Sequence, residues 1–204
     1  MDRLVAGFRR FRQTYFQENR ETFDSLATNG QAPRAMVIAC SDSRVDPQLI
    51  FSAAPGEIFV VRNVANLVPP YAPSGSYHGT SAALEFAVRA LNVEHLVVVG
   101  HSSCGGVGAL LQRTSRPDDD FIAAWMRIAE PARERALAAS GDRPEDLQRV
   151  CEHETVKVSL ANLMTFPWIR ERVDGGALTL HGLYFDIEKG DLMRLLPDGR
   201  FERT

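Results

Sequence analysis

The sequence AMVIACSDSR at residues 35–44 contains the pattern that decides the fold, because five apolar residues lead directly into a cysteine, an aspartate and an arginine. A short, uninterrupted apolar run is typical of a β-strand that is buried on both faces of a parallel sheet. Similar runs occur at residues 58–61 and 96–99, with a helical pattern at 80–91 between them. Strands and helices that alternate in this way predict an α/β fold with a central, mostly parallel sheet flanked by helices.

Further helices and strands are predicted on both sides of these runs. At the N-terminus Leu4, Phe8, Phe11 and Tyr15 share one helical face, and this helix could dock on its own domain or on a neighbouring subunit. A helix start is predicted at 117–120 and a helix end at 141–144, followed by helices at 147–163 and 167–173 and strands at 178–187 and 192–196. We expect a single domain over residues 1–204, with an N-terminal helical arm at 1–30 and an α/β core with C-terminal helices and edge strands at 31–204.

Composition and charge exclude several classes of partner. The 204 residues include 23 Lys and Arg against 26 Asp and Glu, so the net charge is −3 and no basic block is present. A nucleic-acid partner is therefore not expected, and the short apolar runs do not predict a membrane span. The N-terminus lacks the apolar stretch of a signal peptide, which makes a cytoplasmic location the expectation. In that compartment three cysteines indicate metal binding or catalysis rather than disulfides.

Three potential metal ligands follow the ends of two predicted strands. Cys40 follows the first apolar run, and His101 and Cys104 follow the run at 96–99. Open parallel sheets place their ligand sites at these strand ends. Two thiolates and one imidazole suit Zn²⁺, and three protein ligands leave a fourth position for water. A cysteine or histidine taken alone at such a position is more often a buried thiol or a hydrogen-bonding imidazole than a ligand. A binding module in which the metal only ties two strands together is the alternative function, and it requires a fourth protein ligand.

Asp42 and Arg44 lie next to the first of these ligands. As alternate residues in an extended segment they can project to the same side. The guanidinium would keep the carboxylate ionised and oriented, so that Asp42 could accept the hydrogen of a zinc-bound hydroxide. The other interpretation is an ordinary surface ion pair, which contributes little.

Two other catalytic motifs fit the sequence less well. Residues 97–103 resemble the strand and turn that present a nucleophilic serine, Ser102, in α/β-hydrolases, but Cys104 stands where that motif needs a glycine. The glycines at 105, 106 and 108 are a poor match to a phosphate-binding loop, because no lysine follows them. The remaining cysteine and the other four histidines are interpreted as structural or solvated: Cys151, His78, His95, His153 and His181.

The segments CSDSRVDP at 40–47 and GHSSCGG at 100–106 resemble the two signatures of the β-class carbonic anhydrases. The similarity continues through residues 55–71 and 79–88. The resemblance implies one Zn²⁺ per chain on Cys40, His101 and Cys104, with Asp42 and Arg44 as the catalytic dyad. It further implies reversible hydration of carbon dioxide to bicarbonate and a proton, by attack of zinc-bound hydroxide. The expected assembly is a homodimer or a larger oligomer, in which the arm at 1–30 packs on a partner subunit.

The same resemblance implies a substrate pocket of the plant-like, open type. Gln31 matches a glutamine that reaches across the dimer interface, and Phe59 and Val64 match apolar wall positions. Phe86 stands where plant-like members have tyrosine, and Gly105 completes the predicted pocket. Val37, three residues before Cys40, replaces the tryptophan of members whose bicarbonate site regulates them.

Overall fold

The computed structural model describes residues 1–73, 78–112, 120–140 and 146–204. Within them, six strands form one sheet: β1 (Ala35–Cys40), β2 (Ile58–Asn63), β3 (His95–His101), β4 (Thr179–Asp186), β5 (Asp191–Leu195) and β6 (Phe201–Arg203). Their order is β2-β1-β3-β4-β5-β6. The first four are parallel, whereas β5 and β6 are antiparallel to their neighbours. The predicted α/β fold with a mostly parallel sheet is confirmed. The strand β6 is an addition that the apolar pattern did not predict.

Helices flank this sheet, and those predicted at 80–91, 147–163 and 167–173 are confirmed. The helices are α1 (Asp2–Gln13), α2 (Tyr15–Glu18), α3 (Arg20–Asn29), α4 (Pro47–Ile50), α5 (Gly79–Glu85), α6 (Gly105–Gln112), α7 (Ile122–Met126), α8 (Glu130–Ser140), α9 (Leu147–Leu163) and α10 (Pro167–Asp174). A π-helical turn, Phe86–Ala90, continues α5. Residues 117–119 of the predicted start signal at 117–120, and the predicted end signal at 141–144, lie outside the described residues. No helix of the described residues has the length and apolar character that crossing a membrane would need.

The main core lies between one face of the sheet and the helices α5, α9 and α10. Met36 and Ile38 of β1 and Leu96 and Val98 of β3 are fully buried there. Alternate residues of a strand face the same side, so these positions form one continuous apolar surface. Burial of each such side chain contributes about 1.5–3 kcal/mol, which fixes the two strands side by side. Because β1 and β3 are parallel neighbours, Cys40 and His101 end at the same edge of the sheet.

The arm formed by α1–α3 has no buried residue. Its aromatic rings contact one another, with Phe11 packed against Tyr15 and Phe23. The apolar side chains of Leu4 and Phe8 remain 73% and 60% exposed. Within the described residues the chain therefore leaves one side of the predicted arm uncovered. That residues 1–204 form a single domain stays a prediction.

Candidate metal centre and active site

The three predicted ligands converge at the carboxyl edge of the sheet. Cys40 ends β1, His101 ends β3, and Cys104 lies in the turn that leads into α6. Their ligand atoms all lie within 4.8 Å of one another, and all three residues are buried. One ion with ligand bonds of about 2.0–2.3 Å can span separations of this size. The parallel pairing of β1 with β3 therefore assembles a donor set from residues 61 positions apart in the sequence.

The imidazole of His101 is oriented as a metal ligand would be. Its Nδ1 lies 2.9 Å from the carbonyl oxygen of Ser102, and because a carbonyl only accepts, Nδ1 carries the hydrogen. The lone pair is then on Nε2, which is buried and has no hydrogen-bond partner in the described residues. A buried nitrogen without a partner is costly unless something else, such as a cation, binds it. The residues present therefore fit a zinc ion.

The two thiols of the cluster are strongly linked. Hydrogen bonding from Cys104 lowers the pKa of Cys40, and the backbone N–H groups of Asp42 and Ala65 act in the same direction. The same bond, together with burial, raises the pKa of Cys104. The two thiols therefore differ in how readily each loses its proton. A metal ion binds thiolates, so its binding would release any proton that the two sulfurs still carry.

Asp42 and Arg44 form a forked ion pair beside the cluster. Arg44 donates from Nε to Oδ1 of Asp42 at 2.9 Å and from Nη2 to Oδ2 at 2.7 Å, and its backbone N–H donates to Oδ1 at 2.9 Å. These hydrogen bonds hold the pKa of Asp42 well below its usual range, so the group stays a carboxylate. Arg44 Nη2 also donates to the carbonyl of Ser103 at 3.0 Å, which ties the first signature loop to the second.

Arg62 of β2 is a positioning residue that sequence reasoning missed. Its Nε donates to the carbonyl of Cys40 at 2.9 Å and its Nη2 to the carbonyl of Asp42 at 2.7 Å. Its Nη1 pairs with Asp46 at 2.9 Å. Arg62 therefore holds the backbone of the loop that carries the first ligand and the dyad. The available signal was a single arginine at the end of the apolar run at 58–61.

Glu152 on α9 is a second missed residue, and it supports the other loop. Its side chain is buried, and Oε1 accepts the backbone N–H of Cys104 at 2.9 Å. Oε2 accepts the hydroxyl of Tyr184 at 2.8 Å, and Gln148 donates to Oε1 at 3.0 Å. Burial raises the pKa of Glu152, which these hydrogen bonds oppose. A charged residue on the buried side of a helix was the signal that could have drawn attention to it.

The predicted pocket residues do not all lie beside the cluster of their own chain. Val64 lies close to the start of α6, directly after Cys104, since a Cβ placed on Gly106 would come 2.9 Å from its Cγ1. Phe59, in contrast, pairs with Met36. Met36 is four residues before Cys40, so Phe59 lies about 13 Å away along the strand direction.

Two other predicted pocket residues lie with Phe59. The ring of Phe86 is 5.8 Å from the ring of Phe59. Gln31 and Phe59 line a cavity of about 310 Å³ together with Arg62. Gly105, the fifth predicted pocket residue, begins α6 directly after Cys104, and the space beside its Cα is open.

Ser102 does not have the surroundings of a catalytic nucleophile. Its Oγ accepts the backbone N–H of Ile187 at 2.8 Å. A nucleophilic serine also needs a histidine as its base, and two histidines follow Ser102 in the chain. His181 contacts another histidine, and His153 lies against the ring of Tyr184. The structure therefore gives no support to the hydrolase alternative.

Comparison with known proteins agrees with this site. The family model described as carbonic anhydrase matches residues 35–192, which include all three clustered ligands and the dyad. The chain belongs to the carbonic anhydrase family. It is 38% identical over 197 residues to a carbonic anhydrase of Synechococcus elongatus, covering 96% of this chain and 71% of that protein. It is also 40% identical over 194 residues to β-carbonic anhydrase 3 of Arabidopsis thaliana, covering 93% and 74%.

Solved carbonic anhydrase structures share the whole fold. The β-carbonic anhydrase CcaA superposes with a TM-score of 0.93 at 37% identity, covering 100% of this chain and 92% of that one. One of two tetrameric β-carbonic anhydrases of Sordaria macrospora gives a TM-score of 0.80 at 33% identity, covering 95% of each chain. The resemblance to β-class carbonic anhydrases is therefore confirmed, and the protein is an enzyme of this family.

Proposed function

We propose that this carbonic anhydrase hydrates carbon dioxide reversibly to bicarbonate and a proton at one zinc ion per chain, held by Cys40, His101 and Cys104. The observation that supports this most directly is the convergence of two buried thiols on a buried imidazole nitrogen that has no other partner in the described residues. Zinc would supply a Lewis acid that lowers the pKa of a water molecule toward neutrality. Family membership supports the overall reaction.

In this proposal the dyad orients the reacting oxygen. A carboxylate can only accept hydrogen bonds, and Arg44 keeps Asp42 in that form. Asp42 can therefore bind the hydrogen of the attacking oxygen and leave a lone pair of that oxygen free for the carbon of carbon dioxide. Arg44, held by both Asp42 and the carbonyl of Ser103, prevents the carboxylate from turning away. Orientation of this kind contributes to catalysis because it is in place before the reaction begins.

The alternative of a metal that only ties two strands together is less well supported. Among the described residues the cluster contains three Cys, His, Asp or Glu ligands, where a closed structural site takes four. The nearby carboxylate of Asp42 is already engaged by Arg44. The three-ligand set supports a position that is left for water, as in catalytic sites.

We further propose that the active form is a homodimer or a larger oligomer in which the arm of one chain packs on its partner. The exposed apolar side of α1 supports this, as do the related β-carbonic anhydrases of Sordaria macrospora, which are tetrameric. Phe59 and Phe86 lie away from the cluster of their own chain, so we propose that they and Gln31 line the pocket of the partner. Val64 and Gly105 would line the pocket of their own chain. The plant-like, open type of pocket and the cytoplasmic location stay predictions.

Zinc content and carbon dioxide hydration test the proposal together. Purified protein should contain about one zinc per chain, and stopped-flow hydration should stop when a chelator removes the metal and return when zinc is restored. Cys104→Ser should lower both zinc content and activity, whereas Cys151→Ser, which changes a buried cysteine outside the cluster, should retain the zinc. Active protein without zinc would contradict the proposal, and so would zinc-loaded protein without hydration.

A further inference from the structure

Two histidines contact each other on the sheet, away from the Cys40–His101–Cys104 cluster. His95 begins β3, and His181 lies on the neighbouring strand β4 in register with Val97, two residues after His95. Because alternate residues of a strand point to the same side, both imidazoles lie on one face of the sheet. His95 is at the opposite end of β3 from His101, about 20 Å away along the strand.

The facing nitrogens have a spacing that suits a single metal ion. Nε2 of His181 lies 3.2 Å from Nδ1 of His95, and the ring planes are inclined by 61°. With metal–nitrogen bonds of about 2.0–2.1 Å, a separation of 3.2 Å corresponds to an angle of about 100° at the metal. That value lies between the right angle of octahedral or square-planar coordination and the tetrahedral angle. In the hydrogen bond the two nitrogens point at each other, so each ring would turn by about 40° to direct both lone pairs to one metal ion.

The protonation state of His181 also suits a metal. Partial burial, together with the charges of His95 and Arg194, lowers the pKa of His181 and favours the neutral ring. Neutral imidazole is the form that binds metal ions. At present one of the two facing nitrogens carries a hydrogen and donates it to the other. That hydrogen can move to the outer nitrogen of its own ring, so a cation can bind without net loss of a proton.

We propose that His95 and His181 form a second metal site, which binds a divalent transition-metal ion with water in the remaining positions. Imidazole ligands favour Ni²⁺, Cu²⁺ and Zn²⁺ over Mg²⁺ and Ca²⁺, which prefer oxygen. The positive charge of Arg194 that disfavours protonated His181 also opposes a bound cation. The site should therefore be weaker than the thiolate cluster and exchange its metal with the solution. It lies outside the proposed reaction and does not depend on it.

Nickel binding to the untagged, zinc-loaded protein tests this site. Equilibrium dialysis against increasing Ni²⁺, with nickel and zinc both analysed, should find about one nickel per chain while the zinc content stays constant. His95→Gln and His181→Gln should each weaken nickel binding by at least about tenfold, because each removes one of two ligands. His78→Gln, which makes the same change at an exposed position, should leave nickel binding unaltered.

Three outcomes would overturn the proposal. They are no nickel uptake, uptake that neither histidine variant weakens, and loss of one zinc for each nickel gained, which would mean exchange at the thiolate cluster. Since metal content is measured and not carbon dioxide hydration, failure here would leave the proposed function untouched. Circular dichroism of the two glutamine variants would show whether a weaker uptake reflects loss of the fold.

Discussion

The variant Asp42→Asn should lose most carbon dioxide hydration while it keeps its zinc and its fold. The Asp42 carboxylate accepts three hydrogen bonds from Arg44, and in our proposal it also accepts one from the attacking oxygen. Asparagine keeps one oxygen but replaces the other with an N–H₂ group. That group cannot accept from the Arg44 fork, and it would donate where the reacting oxygen needs an acceptor.

The expected effects on activity and on stability differ in size. Loss of one oriented hydrogen-bonding group at a transition state costs about 10²–10³ in kcat, or about 2.7–4 kcal/mol. The Arg44 side chain is 49% exposed, and the Asp42 side chain 18%. Such partly exposed ion pairs contribute about 0.2–1 kcal/mol, so the free energy of unfolding should change by less than about 1 kcal/mol. Zinc should stay at one per chain, because Asp42 is not one of the three clustered ligands.

Asp46→Asn is the matched control in the same loop. Asp46 pairs with Arg62 at 2.9 Å and accepts the backbone N–H of Gln48 at the start of α4, also at 2.9 Å. Asparagine can still accept the Gln48 N–H, so the replacement mainly loses the ion pair with Arg62. It should lower stability by less than about 1 kcal/mol and reduce hydration far less than Asp42→Asn does. Stopped-flow hydration measures the activity of both variants, zinc analysis measures their metal content, and urea unfolding measures their stability. If Asp42→Asn hydrates carbon dioxide as fast as Asp46→Asn does, the proposed role of the dyad is wrong.

Three further predictions concern the surroundings of the site. Glu152→Ala removes the acceptor for the Cys104 N–H and should weaken zinc binding about 10–100-fold, as measured by competition with a chelator. Glu154→Gln on the same helix should leave zinc binding unchanged. Equal zinc affinity of the two variants would refute this. Burial lowers the pKa of His153 from 6.5 to about 4. Between these pH values the unfolded chain takes up a proton that the folded chain does not. The free energy of unfolding should therefore fall by up to about 3 kcal/mol as the pH drops from 6.5 to about 4. In urea unfolding, His153→Phe should lose less stability than the wild type between these pH values, and parallel losses would contradict that origin. If Phe59 lines the partner's pocket, refolding an equal mixture of Asp42→Asn and Phe59→Ala chains should restore up to about a quarter of the wild-type activity. About half of the dimers would be mixed, and each mixed dimer would contain one intact site out of two. No recovery of activity, despite demonstrated mixed dimers, would refute this.

The strands of the core could be predicted because each is locally distinctive. A strand buried on both faces must be apolar throughout, and β1 and β3 show that pattern in the sequence. β6 has three residues, two of them charged, and its pairing with β5 depends on a neighbour rather than on its own composition. The arm could be predicted as helical but not positioned. An amphipathic helix indicates that another surface covers its apolar face, but it does not show whether that surface belongs to the same chain or to a partner.

The ligand types of the candidate site were readable from the sequence because cysteine and histidine directly follow two apolar strands, and strand ends are where such sheets bind ligands. The supporting contacts were not readable in this way. Arg62 reaches Cys40 across a strand pair, and Glu152 reaches Cys104 from α9. Those contacts, and the separation of Phe59 from the cluster, depend on strand register and helix placement, which the packing of the whole core sets. Local patterns specify what a segment buries, whereas hydrogen bonds between distant segments exist only after the sheet has brought them together.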